Sequence, residues 1–155
     1  MSTAPLNWKD SGLRWYWVAV FVFIADQLSK QWVLNTFELY DSIQLLPFFN
    51  FTYVRNYGAA FSFLSDAGGW QRWFFAVVAI GFSTILTIWL RKQSHQMLRT
   101  NLAYTLVIGG ALGNLVDRLM HGFVVDFIDF YWNTSHYPAF NIADSAICIG
   151  AAIII

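Results

Sequence analysis

The chain has 155 residues, a formal net charge of +0, 57% hydrophobic side chains and only 12% charged ones. A soluble domain of this length carries about twice that charged fraction, so the composition excludes an ordinary soluble fold and describes one polytopic membrane unit. The neutral balance gives no electrostatic case for a nucleic-acid partner, and the single cysteine, Cys148, cannot close an internal disulfide and is expected to pack inside an apolar run.

The first predicted span covers residues 15–33. Lys9 and Arg14 precede it and imitate a secretory leader. The run is too long for one, contains Asp26 and Lys30, and lacks a small-residue cleavage site, so it reads as a retained transmembrane helix. Residues 34–69 follow on the outer side. Phe49, Phe51 and Tyr53 alternate there with Asn50, Thr52 and Val54, and Phe61 to Leu64 resume after Gly58. A period of two predicts a small antiparallel sheet.

Spans two and three cover residues 70–90 and 98–116. Gly109 and Gly113 in the third form a G-x-x-x-G pair that admits a neighbouring helix closely. Residues 117–138 form a second outer segment. Its apolar stretch Phe123 to Trp132 is too short to span, and a helical reading puts Asp126, Asp129 and Asn133 on one side, which predicts an interfacial helix. The fourth span, residues 139–155, is short and stops at Ile155 without a basic tail. The expected fold is therefore an integral membrane, mainly α protein. It has four transmembrane helices, a small periplasmic sheet and an interfacial helix in one domain over residues 1–155.

Basic residues near the span ends set the orientation. Lys9 and Arg14 lie before span one, and Arg91, Lys92 and Arg99 lie between spans two and three, so both termini are expected in the cytoplasm. The opposite side holds Glu38, Asp41, Asp66 and Asp129, with Arg55 and Arg72 as exceptions.

A carboxylate inside a membrane segment costs roughly 2.5–3.5 kcal/mol on insertion scales, which makes such residues functional candidates. With alternating spans, Asp26 lies roughly 10 Å below the outer end of span one and Asp144 roughly 8 Å into span four. Asp117 and Asp126 fall at the same boundary, so the acids converge on one level. Asp26 and Lys30 are four residues apart and can neutralise each other on one helix. Asp117 has Arg118 beside it. Asp126 and Asp144 have no neighbouring cation, which marks them as the candidate working pair. Two carboxyls at close range in low dielectric share one proton. One then activates water while the other protonates or hydrogen-bonds the scissile carbonyl. The three histidines show no ligand spacing, so neither a metal nor a cofactor is expected. A proton-coupled small membrane transporter is the alternative, as is a non-catalytic membrane subunit. Clustering of the acids at one level and the lack of an inverted repeat weigh against the transporter.

At these residues the chain resembles bacterial lipoprotein signal peptidase, the signal peptidase II family, along nearly its whole length. The resemblance rests on Asp26-Gln27-Leu28-Ser29-Lys30, Arg55-Asn56-Tyr57-Gly58-Ala59-Ala60-Phe61-Ser62, Gly113-Asn114-Leu115-Val116-Asp117-Arg118, Val124-Val125-Asp126-Phe127 and Pro138-Ala139-Phe140-Asn141-Ile142-Ala143-Asp144-Ser145. It implies an aspartic endopeptidase of the bacterial inner membrane, active at the periplasmic face. Such an enzyme removes signal peptides from diacylglyceryl-modified prolipoproteins before the lipidated cysteine, and is the target of globomycin. The resemblance assigns catalysis to Asp126 and Asp144. Substrate binding or support falls to Asp26, Lys30, Asn56, Gly58, Asn114, Asp117, Arg118 and Asn141. The expected partners are the prolipoprotein substrate and membrane lipid, with the chain itself a monomer. The short fourth span departs from the family pattern.

Overall fold

A computed structural model describes residues 6–58 and 68–155. The motif residues Ala59 to Ser62, the expected resumption at Phe61 to Leu64, and Asp66 lie outside them. A short 3-10 turn, Gly12–Trp15, leads into α1 (Tyr16–Thr36). Strands β1 (Ser42–Leu46) and β2 (Phe49–Asn56) follow, then α2 (Gln71–Lys92), α3 (Leu98–His121), β3 (Val124–Trp132), β4 (Ser135–His136) and α4 (Ile142–Ile154).

The helices are arranged apolar side out. Along α1 the buried positions include Ala19, Val22, Asp26, Lys30 and Val33, whereas Trp17, Phe21, Ile24 and Leu28 are exposed. A water-soluble bundle does the reverse, so the outer surface of this one suits hydrocarbon. α2 alone among the described helices is both long and apolar enough to cross a membrane by composition, and α4 is a shorter apolar helix. α1 and α3 fall below that hydropathy because they carry the polar residues that face inward. Cys148 faces outward instead of packing inside.

α3 is the central element and packs against α1, α2 and α4. Its glycines make this possible. A Cβ at Gly109 would lie 2.7 Å from the Ala19 carbonyl oxygen of α1, and one at Gly110 would collide with the Ala143 carbonyl of α4. The G-x-x-x-G pair is a real close-approach face, as expected.

The four strands form one antiparallel sheet in the order β1-β2-β3-β4. The expected sheet at β2 is present, with Val54 opposite Asp126 and Asn56 opposite Val124. The interfacial helix expected over Phe123 to Trp132 is not: that segment is strand β3. Its run Val-Val-Asp-Phe-Ile-Asp-Phe-Tyr-Trp is β-branched and aromatic. Pairing with β2 satisfies its backbone, and Val125 and Phe127 pack with Val33, Phe37 and Tyr53 in a small core between the sheet and α1. Beyond β4, Phe140 bridges to Ile128 and delivers the chain to α4. Helix α3 extends past its expected end at residue 116 to His121, so Asp117 and Arg118 lie on a helix. α4 begins at Ile142, three residues later than residue 139, because Asn141 caps it.

Candidate active site

Asn141 is the hinge of the site. As N-cap of α4, its Oδ1 accepts from the Asp144 N–H at 2.8 Å. That places Asp144 in the first helical turn, where the orphan N–H groups and the helix dipole favour an acid. The Asn141 Nδ2 group donates in the other direction, to Asp126 Oδ1 at 2.9 Å. A second asparagine, Asn114 of α3, donates to Asp144 Oδ1 at 2.9 Å, and its Oδ1 lies 3.2 Å from Asn141 Nδ2. Two linked asparagines thus hold one oxygen of each acid. Asp126 Oδ2 and Asp144 Oδ2 are buried and accept no hydrogen bond among the described residues. Burial, and after it the Asp144 carboxylate, pushes the Asp126 carboxyl well above the usual carboxylate range, while Lys30 and the Asn56 and Asn141 side chains act against the shift.

Beneath this pair lies a charged frame. Lys30 Nζ is 2.7 Å from Asp26 Oδ2, 3.0 Å from Asp117 Oδ2 and 2.9 Å from Asn114 Oδ1. All three ammonium donors are therefore used. The expected Asp26–Lys30 pair is present, but it is half of an arrangement spanning α1 and α3. The framing acids also grip backbone: Asp26 Oδ1 accepts from the Ala143 N–H at 2.9 Å, and Asp117 Oδ2 from the Val125 N–H at 3.0 Å. Ala143 precedes Asp144, and Val125 precedes Asp126. Each framing acid therefore fixes the chain one residue before a candidate working acid, and Lys30 ties the two together.

The remaining expected residues also meet here. Asn56 Oδ1 accepts from the Gly58 N–H at 2.8 Å, and the Gly58 carbonyl accepts from Arg118 Nη2 at 3.0 Å. Arg118 lies over the Phe75 ring and, among the described residues, makes no ion pair with Asp117. Asp129 belongs elsewhere. On β3 it is buried and accepts from Thr52 at 3.0 Å, with His136 Nδ1 2.8 Å away.

Two residues escape a reading of the sequence. Gln27 Nε2 reaches Asp26 Oδ2 at 3.2 Å, the Gly113 carbonyl at 3.0 Å and Asp117 Oδ1 at 3.2 Å, cross-linking the frame a second time. Its place beside Asp26 in an apolar helix is the available signal. Gly113 is more than a packing residue: a Cβ there would sit 2.5 Å from Asp26 Oδ2. Gly113→Ala should therefore destabilise the protein by about 1–3 kcal/mol, as overpacking does, and cut its activity. Thermal unfolding in detergent together with a cleavage rate checks both.

A cavity of about 340 Å³ opens between α2, α3 and α4 and reaches Asn114, the side chain that holds Asp144. Phe75, Phe82, Ala111 and Ile147 make its walls apolar, and Asn114 and Arg118 form its polar end. Two buried carboxyls linked through Asn114 and Asn141, in an outward-apolar bundle, fit a membrane hydrolase of the aspartic class. The comparisons agree. A family model described as Signal peptidase (SPase) II matches residues 18–155. The chain is 83% identical over 151 residues to the lipoprotein signal peptidase of Shewanella baltica (strain OS195), covering 97% of this chain and 88% of that one. It is 82% identical over 151 residues to that of Shewanella halifaxensis, covering 97% and 89%. A solved structure described as a bacterial membrane enzyme superposes with a TM-score of 0.79 at 39% identity, covering 89% of this chain and 82% of that one. The chain belongs to the signal peptidase II family and is a membrane aspartic peptidase.

Proposed function

We propose that this chain cleaves the signal peptide from diacylglyceryl-modified prolipoproteins, before the lipidated cysteine, using a water activated by Asp126 and Asp144. The observation that carries the reading is the pair of buried Oδ2 atoms that accept no hydrogen bond among the described residues while the Oδ1 atoms are held by Asn114 and Asn141. With one proton between them, the ionised acid takes a proton from water as it attacks the scissile carbonyl. The protonated acid hydrogen-bonds the carbonyl oxygen and then supplies a proton to the leaving amine. Arg118, held against the Gly58 carbonyl, adds positive charge at this end of the cavity.

The substrate suits the site. A signal peptide is an apolar helix, and the apolar walls between α2 and α4 offer it a lateral berth. Binding along the helix and the acyl chains, remote from the reacting amide, then delivers the scissile bond to the pair. In this reading the four helices cross the bacterial inner membrane, both termini lie in the cytoplasm, and the sheet and site face the periplasm.

The test uses the purified chain with a diacylglyceryl precursor and its unlipidated counterpart. Mass spectrometry should find a new amino terminus at the lipidated cysteine and no product from the unlipidated precursor. Cleavage elsewhere, or equal cleavage of both, would remove the proposed specificity.

A further inference from the structure

The chain contains nine lysines and arginines. Lys9, Arg14, Arg91, Lys92 and Arg99 belong to the end of the bundle proposed to be cytoplasmic, and Lys30 and Arg118 belong to the site. The two left over, Arg55 and Arg72, converge on one corner at the outer end of α3. The Arg55 guanidinium lies 4.6 Å from the Phe123 ring centroid. The His121 ring stacks on the same phenylalanine at 5.4 Å. Arg72 embraces Gly122 between them, its guanidinium 3.6 Å from where a Cβ would be. Three basic side chains thus flank the turn at residues 121–123.

Among the described residues neither arginine meets a carboxylate. Arg55 Nε donates to the Tyr53 phenol at 3.1 Å, and Arg72 donates to the Arg118 and Leu119 carbonyls at 2.7 and 2.9 Å. The ion pairs among the described residues include neither. Immediately inward, Leu119, Met120 and Trp73 expose apolar surface. Guanidinium forks match phosphate oxygens, and a basic, aromatic rim above an apolar helix surface is the arrangement that holds a lipid headgroup with its chains below.

We propose that the corner formed by Arg55, Arg72 and His121 binds the phosphate of an anionic phospholipid of the outer leaflet. A zwitterionic headgroup brings its own cation and fits less well. The inference rests on the orientation proposed above. It does not depend on the peptidase chemistry, which the cleavage assay tests separately.

The full chain would be reconstituted in vesicles of equal parts phosphatidylglycerol and phosphatidylethanolamine, extracted in mild detergent and examined by native mass spectrometry. Retained lipid should be enriched in phosphatidylglycerol about fivefold or more, the effect of one or two basic groups at a membrane surface. Arg55→Gln/His121→Gln should retain the two lipids in the bulk ratio while keeping cleavage activity in detergent. Arg55→Gln alone, at an exposed position, should lose part of the enrichment and provides the reading if the double variant fails to fold. A bulk ratio in the wild type, or undiminished enrichment in the variants, overturns the proposal. So does displacement of the lipid by excess glycerol phosphate, which would make the ligand a soluble phosphate.

Discussion

Asp126→Asn and Asp144→Asn should each reduce cleavage of a diacylglyceryl precursor by about 10²–10⁴-fold, the range that a positioned acid or base contributes. In the proposed mechanism the two act as a unit, so the double variant should be no slower than either single one. The same substitution at Asp126 should make the protein more stable at neutral pH. Its carboxyl titrates higher in the folded chain than in the unfolded one, so its stabilising contribution is complete below the unfolded value of about 3.9 and is lost as pH rises through the folded value. An amide in its place does not titrate. The melting-temperature advantage of Asp126→Asn over wild type, followed in detergent, should therefore grow from acid to mildly alkaline pH. Cleavage by the wild type should fall at both extremes, where the pair holds two protons or none. Its alkaline limb should lie above the ordinary carboxylate range. A single acid limb near pH 4 would remove the shared proton from the mechanism.

Lys30→Met should have the largest effect on stability. It leaves Asp26 and Asp117 facing each other in a buried site without their cation, and Asn114 Oδ1 without its lysine donor. Removing one partner of a buried ion pair costs about 3–5 kcal/mol. Activity should disappear as well, because the frame holds the backbone before both candidate acids. The informative comparison is Asp26→Asn/Lys30→Met/Asp117→Asn. It removes all three charges but keeps amide oxygens to accept from Ala143 and Val125, so it should recover most of the lost stability in denaturation experiments. If the triple variant were as unstable as Lys30→Met, uncompensated charge would not be the cause.

Much of this architecture is legible in the sequence because the signals are local. Asp26 and Lys30 show their pairing through helical spacing, and the apolar runs mark α2 and α4 by composition. The alternation at Phe49, Phe51 and Tyr53 shows β2 directly. Strand β3 is missed because a short apolar, aromatic segment with spaced acids fits an interfacial helix equally well. Only its pairing with the distant β2, in the register Val54 to Asp126, decides the matter. The start of α4 could have been found: Asn141-Ile142-Ala143-Asp144 has an N-cap residue with an acid three positions on. That Gly113 makes room for Asp26 Oδ2 could not, since this depends on how closely α1 approaches α3.

One residue joins the last helix to the acid before it. Asn141 caps α4 through the Asp144 N–H and holds Asp126 with the same side chain. Seating α4 and aligning the two acids are consequently a single event. During biosynthesis α4 leaves the ribosome after every other element described here, so a half-made enzyme carries Asp126 without its counterpart. On the proposed mechanism the unfinished chain would not cleave, because until Asn141 is seated neither acid has the side chain that aligns it with the other.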